Sequence, residues 1–474
     1  MKRKTLTGVA AAVAVLVAVY IGATAYTGHR VAAAYEARLD QVGKQLPFQR
    51  FVERTVDRGL LSSTFSTGLR VGCVNAGAAK GDGSNALPSF EVHFVDHVRN
   101  GPFPGFARFG AATIDSQVVL PANAPEALRK YVAGLKPEDI HTQVGYGGDY
   151  RTAVRLPAGE IQAAGGKLSW PETRLSSAGL VNGEANAVEA TLPELVFQSD
   201  EAKGSRFRLA DLQLRSENHG SGSLWMRAGN GAVKIGSIEL QTRLGEQPMS
   251  LRLSKLDYTT EVANDKDLMS GSLAMRADAA LSLGDEATPL LFEDIELKES
   301  FKRLHVPTIQ KWFEGAMAEV SNCETDAAPP AEQAERARQQ AEQLLPLLAH
   351  DPDVAIEKFA LTHEGRRGEL SYSAGVHGFR LAEGEEFAAA LPRLAQALTL
   401  RADARLPVAW VEKIGAFGAG SDQAQLRAVQ TEAMLDHAIG QGFLVRDGDD
   451  LTAALVFERG TPTLNGKPLG PRMK

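Results

Sequence analysis

The chain has 474 residues, 44% hydrophobic, 23% charged and 7% aromatic, enough apolar material for one large core or several ordinary ones, which excludes disorder throughout. Its 51 basic and 58 acidic side chains give a formal net charge of -7, so no global positive field gathers phosphate backbones and nucleic acid is not an expected partner. Two cysteines supply neither a disulfide framework nor a structural zinc site.

Lys2, Arg3 and Lys4 precede a stretch from Thr5 to His29 without a formally charged side chain. About 20 such residues cross a bilayer's hydrocarbon layer as a helix, so residues 5–29 are expected to be a transmembrane anchor. The basic start, residues 1–4, places the N-terminus in the cytoplasm and everything after Arg30 on the other side. The alternative is a cleaved signal peptide, since Ala23-Thr24-Ala25 has the form a signal peptidase reads. A cleaved apolar region usually spans only about 7 to 15 residues, which favours the uncleaved anchor, and either outcome exports the bulk of the chain. Tyr20 and Tyr26 fall where aromatic side chains anchor a span at its far interface.

After the anchor, Val31, Ala34, Tyr35, Leu39 and Val42 recur at helical spacing up to Pro47, and residues 30–61 are assigned to a stalk helix. From Ser62 to about residue 298 the period changes to two. Phe90, Val92 and Phe94 alternate with Glu91 and His93; Ile238, Leu240, Thr242 and Leu244 alternate with Glu239, Gln241 and Arg243. The strictest case is Leu273, Met275, Ala277, Ala279, Leu281 and Leu283 against Ala274, Arg276, Asp278, Ala280 and Ser282. A helix would smear that stripe around its circumference. Turn signals at Gly147-Gly148-Asp149, Gly165-Gly166, Asn182-Gly183, Asn218-His219-Gly220, Gly229-Asn230-Gly231, Gly245-Glu246 and Asn264-Asp265 separate the runs. The pattern is an antiparallel meander, without the helical crossovers of a doubly wound nucleotide fold.

Residues 299–474 are expected to complete or cover this sheet with helices and strands. Phe301, Leu304, Ile309, Trp312, Phe313, Met317 and Val320 make an apolar side on a segment interrupted by Pro307. The tract Asp326-Ala-Ala-Pro-Pro-Ala331 opens a helix running to Ala349. Strands follow at Val354–His363, Glu369–Leu381 and Leu398–Leu406, helices at Glu385–Ala397 and Asp422–Ala438, and a closing pair of strands at Phe443–Arg446 and Leu451–Glu458. The class is α+β, mainly antiparallel β: an N-terminal transmembrane helix, a large curved sheet, and C-terminal helices packed against it.

Five segments carry a resemblance: the apolar anchor ending in Ala25-Tyr26-Thr27-Gly28, Arg58-Gly59-Leu60-Leu61-Ser62-Ser63, Asn100-Gly101-Pro102-Phe103-Pro104, Gly145-Tyr146-Gly147-Gly148-Asp149, and Leu464-Asn465-Gly466-Lys467-Pro468. In this order they resemble the YdgA family, bacterial anchored envelope proteins of unassigned function, over essentially the whole chain. The resemblance implies an inner-membrane anchor with a periplasmic body, and it supplies no catalytic residues.

Candidate chemistry is sparse. His93 and His97 have the spacing of a helical zinc pair, but on a strand they stand about 13 to 14 Å apart and no single ion bridges them. Gly145–Asp149 superficially resembles a phosphate-cradling glycine loop, yet a strand follows it, so it reads as a β-turn. There is no G-x-S-x-G elbow, and the acidic residues are scattered on polar faces. Catalytic residues, metal ligands and cofactors are therefore assigned to none, and the chain is read as a non-enzyme. Cys73 lies in a strand-like run and Cys323 ends a helix, which favours separate thiols over a disulfide and leaves the pairing open.

The leading reading is a membrane-tethered sheet whose apolar face shelters a lipid or other amphiphile, lined by Leu273, Met275, Leu281 and Leu283. Pro102, Phe103 and Pro104 form a rigid aromatic projection, read either as a buried turn or as a ligand or partner contact. The alternative is an envelope scaffold whose helices cover the same face, leaving a surface for envelope proteins or self-association.

Overall fold

The computed structural model describes residues 2–45, 49–71, 90–106, 108–163, 165–200, 204–220, 226–245, 247–284, 289–322, 330–382, 385–411 and 421–469, with the side chains of 2–15, 318–322, 330–334, 421–428 and a few at element ends outside that description. Cys73 and Cys323 lie outside the described residues, and with them the disulfide. The chain divides into two compact units: Met1–Pro193, Arg215–Leu224 and Phe313–Glu332 form unit 1, and Glu194–Leu214, Trp225–Trp312 and Gln333–Lys474 form unit 2.

In unit 1, helix α1 (Lys2–Gln45) runs without a break through the expected span and the helical segment after it. Among the described residues no helix is long and apolar enough to cross a membrane. The stalk helix is shorter than 30–61, because Gln49–Arg58 forms strand β1: its backbone is taken up by the ladder to β2 (Ser62–Val71), with Val56 opposite Phe65. Strands β3 (Phe90–Asn100), β4 (Ala112–Val119), β5 (Ile140–Val144) and β6 (Asp149–Leu156) follow, each antiparallel to its predecessor. A short helix, α2 (Glu126–Ala133), interrupts the strand grammar between β4 and β5. The hairpin β7 (Gly159–Ala163) and β8 (Gly166–Trp170) stands aside, so β9 (Thr173–Leu180) returns to pair with β6. Strand β10 (Ala185–Ser199) pairs with β9; it and β11 (Arg206–His219) contribute residues to both units.

Helix α1 lies on one face of β1–β5. Ala32, Phe65, Val98 and Ala112 are buried there, with Val31, Tyr35, Val56, Ile114 and Val144 packed around them. Small residues on the helix let it approach the sheet, and the rings of Tyr35 and Phe65 meet at 4.7 Å between centroids.

Unit 2 is the meander that the alternation predicts. Strands β12 (Ala228–Leu244), β13 (Gln247–Asp265), β14 (Leu268–Leu283), β15 (Leu290–His305), β16 (Asp353–His363), β17 (Arg366–Val376) and β18 (Leu398–Pro407) pair antiparallel in succession. Strand β19 (Val445–Asp447) is short; β20 (Asp450–Glu458) pairs with β18 on one side and with β19 and β21 (Thr461–Leu464) on the other, and β22 (Lys467–Pro468) pairs with β21. The longest strand, β13, has 19 residues, far beyond the modal length of about 5 to 6.

Two expectations are corrected here. Gly229-Asn230-Gly231 is not a turn; it lies within β12, where Gly229 faces Val262 and Gly231 faces Thr260. The segment Phe301–Val320 is not one helix either. Phe301 belongs to β15, held between Gly271 and Val354, and helix α3 (Val306–Asn322) begins only after His305. Pro307 therefore sits in the first turn, where its missing N–H costs nothing, and starts the helix instead of interrupting it. The remaining helices are α4 (Pro330–Leu344), α5 (Phe387–Ala397) and α6 (Ser421–Gly440). Helix α5 packs locally, with Ala390 joining Val376 and Phe379 in a small buried cluster.

Candidate functional site

The register of unit 2 aligns its apolar residues in rows across the strands. Leu240, Leu251, Leu281 and Leu290 stand opposite one another on β12 to β15, as do Ile238, Leu253, Ala279 and Phe292. A third row runs through eight strands: Val233, Tyr258, Met275, Leu297, Phe359, Leu370, Ala404 and Ala453. Because strand side chains alternate, Leu273 and Leu283 share the face of Met275 and Leu281. The four residues expected on β14 thus lie on one mainly apolar face, on which Glu299 stands directly opposite Leu273.

That surface is not sealed. Burial is complete at Ala277 and toward the ends, at Met269 and Leu451. Leu273, Met275, Leu281, Leu283, Phe292, Leu297 and Phe359 are half-buried, and Val354 and Leu370 are 42% and 38% exposed.

The opposite face is charged. Glu296 accepts a hydrogen bond from Arg367 at 3.2 Å and has Lys358 at 2.9 Å, Lys298 at 3.3 Å and Arg276 at 3.7 Å. The Lys358 ammonium above all, with Lys298 beside it, holds the Glu296 carboxyl down to about 2 against the opposing effect of burial. Lys255 pairs with Asp278 at 2.8 Å, and Arg208 and Arg252 both approach Glu239 at 3.6 Å. One face is wet and braced by ion pairs; the other is greasy and half open.

Unit 1 holds a second feature that sequence reasoning does not reach: a half-open groove of about 480 Å³ between α1 and its sheet. Thr27, Val31, Ala34, Tyr35 and Arg38 line it from the helix, and Ile114, Ser116, Thr142, Val144 and Tyr150 from β4 to β6. At its floor Tyr35 donates to Asp96 Oδ2 at 2.7 Å, with Thr67 Oγ1 at 2.8 Å, and burial followed by the Asp96 charge pushes the phenol well above its ordinary range. The helical stripe Thr27, Val31, Ala34, Tyr35 and Arg38 is the sequence signal for this groove. Its partners on the sheet lie too far along the chain to be matched to it.

Pro102, Phe103 and Pro104 lie in unit 1, in the loop joining β3 to β4, whereas the β14 residues lie in unit 2. Phe103 is 45% exposed and packs edge-on against Phe109 at 5.6 Å, and Phe109 in turn meets Tyr146 at 5.1 Å. Four of the five segments behind the resemblance meet here. Asn100 N donates to Leu61 O at 3.0 Å, Thr27 Oγ1 lies 3.5 Å from Tyr146 Oη, and a Cβ on Gly101 would stand 2.8 Å from that same hydroxyl. The fifth closes a hairpin in unit 2, where the Asn465 side chain accepts from Ala454 N at 2.8 Å and donates to Gly442 O at 2.9 Å.

Other candidate groups are satisfied locally. His93 lies on β3 with Glu53 at 3.2 Å and Glu91 at 3.6 Å. Gly145–Asp149 is a turn between β5 and β6, with Gly145 N donating to Asp149 O at 2.8 Å and Gly148 at φ +80°. Asp115 on β4 is shared by Arg99 and by His141 Nδ1 at 2.6 Å, while His141 Nε2 faces Gln143 at 3.3 Å, so both imidazole nitrogens are engaged within the sheet. Among the described residues no group of three or more metal-ligating side chains converges.

Residues 1–472 match the family described as bacterial protein of unknown function DUF945, and the chain belongs to that family. A search of curated proteins and a search of solved structures each returned no match.

Proposed function

We propose that this chain is a membrane-anchored envelope protein whose unit 2 sheet shelters the acyl portion of a lipid or similar amphiphile. The observation that carries the reading is the apolar surface eight strands wide, none of whose central large side chains is fully buried, backed by a charged face. Such a surface gains free energy when acyl chains replace water on it, at about 25 cal/mol per Å² covered. Anchoring is supported by the uncharged stretch Thr5–His29 behind Lys2, Arg3 and Lys4, a pattern that favours a cytoplasmic N-terminus with the chain after Arg30 beyond the inner membrane. The narrower resemblance to the YdgA family points the same way.

The test is extraction and mass spectrometry of lipids from the full chain purified in detergent, beside the double variant Met275→Glu, Leu281→Lys. Two charges in the middle of the face are expected to remove most of the copurifying lipid while the protein stays folded by circular dichroism. Equal lipid on both, or a stable protein with none, favours a scaffold that needs no small molecule.

A further inference from the structure

The strands of unit 1 turn at one common end. The β1–β2 turn carries Leu60 and Leu61, 53% and 48% exposed; the β3–β4 loop carries Phe103, Phe106 and Phe109, at 45%, 78% and 72%; the β5–β6 turn carries Tyr146, at 50%. These turns are tied together: Asn100 N donates to Leu61 O at 3.0 Å, Ala111 N to Val144 O at 2.8 Å, and Val181 N to Gly148 O at 2.8 Å. Phe106 is held at φ +59°, an uncommon backbone for a bulky residue, with its ring left outside the protein.

Helix α1 passes this same end within the uncharged stretch Thr5–His29. Tyr20 stacks on Phe106 with centroids 5.7 Å apart and donates to Phe103 O at 3.3 Å, while Tyr26, 64% exposed, follows on the helix. Phe103, Phe106, Phe109 and Tyr146, linked ring to ring or through Tyr20, therefore gather where the helix passes, while Leu60 and Leu61 project from the neighbouring turn. Scattered exposed apolar residues need no explanation, but a contiguous cluster against a greasy helix does.

We propose that this end of unit 1 is seated in the headgroup layer of the bilayer that holds α1, with Phe106 and Phe109 entering the acyl boundary. The occupant is fixed by continuity. Tyr20 belongs to the uncharged stretch, so any ring stacked on it lies at the depth of that residue. Arg108, which donates to Gln143 Oε1 at 3.3 Å, sits next to Phe109 in sequence, placing a cation at phosphate level beside an inserted ring. The seating rests on the anchored reading given above and adds to it a fixed orientation: the strands of unit 1 stand with this end down, and Val119, toward the other end of β4, points away from the membrane.

The test uses the full chain reconstituted in vesicles of phosphatidylglycerol and phosphatidylcholine brominated near the glycerol end of its acyl chains. Tryptophan is added singly as Val17→Trp, Phe106→Trp or Val119→Trp, and the fluorescence each adds over the parent protein is compared with that in unbrominated vesicles. Val17→Trp and Phe106→Trp are expected to lose most of their added fluorescence, and Val119→Trp to keep it. Quenching at residue 17 without quenching at residue 106 overturns the seating and leaves the anchor standing. No quenching at residue 17 overturns the anchor and the seating together, and quenching at 106 and 119 alike shows a unit lying flat, which also contradicts the proposal. Circular dichroism of each variant confirms that it is folded.

Discussion

Gly28 of α1 lies directly against the Asn100 side chain at the end of β3: a Cβ on residue 28 would stand 2.5 Å from Asn100 Nδ2 and 2.8 Å from its Cγ. Asn100 is 3% exposed and its Nδ2 reaches Ser63 Oγ at 3.4 Å, so the amide has little room to retreat. Glycine in a helix ordinarily costs about 0.5–1 kcal/mol relative to alanine, and here the close approach outweighs that cost. Gly28→Ala is predicted to lower stability modestly and Gly28→Val to lower it by about 1–3 kcal/mol, as overpacking does. Thermal unfolding of the full chain in detergent checks this. Unchanged melting of Gly28→Val contradicts the packing of α1 on β3.

The Tyr35 phenol provides a second check. Tyr35→Phe removes the donor to Asp96 Oδ2 and leaves a 7%-exposed carboxylate with one fewer hydrogen bond. Hydrogen bonds to charged groups are worth about 1.5–3 kcal/mol, and a loss in that range is expected in denaturant titrations.

The same residue gives a pH dependence. Its folded pKa is raised above the ordinary 10.0, by burial first and by the Asp96 charge second, so the folded state holds the proton more tightly than the unfolded state does. The stability this contributes is complete below pH 10 and is lost as pH rises beyond it. In an absorbance titration of the folded protein, Tyr35 is expected to ionise above the ordinary tyrosine range, and Tyr35→Phe to remove that late step.

Glu296 works in the opposite direction. Its folded pKa near 2 lies below the ordinary 4.5, so its contribution is present above pH 4.5 and disappears as pH falls toward 2. Glu296→Gln leaves Lys358, Lys298 and Arg276 around a neutral amide, Arg367 keeping Glu369 at 3.0 Å, and is predicted to lower stability at pH 7 by about 1–3 kcal/mol. Its stability should also vary less with pH between 4.5 and 2 than that of the parent.

Much of unit 2 is legible in the chain because period-two patterning survives any tertiary detail. Leu273 to Leu283 alternate strictly, and β14 runs from Leu268 to Leu283. Where patterning fails, the ladder is the reason. Phe301 and Leu304 fit a helical stripe until Phe301 is seen opposite Gly271, whose added Cβ would stand 2.6 Å from the Phe301 ring. Gly229 and Gly231 have turn composition but strand partners. The unit 1 groove was beyond reach for another reason: Val31 and Ala34 meet Ile114 and Val144 only after four strands have paired. The projecting Phe103 is readable from its flanking prolines, whereas its neighbours Phe106 and Phe109 become significant only once Tyr20 is placed beside them.

Where acyl chains lie on this protein can be measured by photo-crosslinking the full chain, in vesicles, to a phospholipid with a diazirine partway along one chain, and mapping the adducts by peptide mass spectrometry. Adducts are predicted on the row through Tyr258, Met275, Leu297 and Phe359 and to be absent from the charged face around Glu296. Labelling confined to α1 and the turns of unit 1, or spread equally over both faces of unit 2, would contradict a lipid-sheltering sheet.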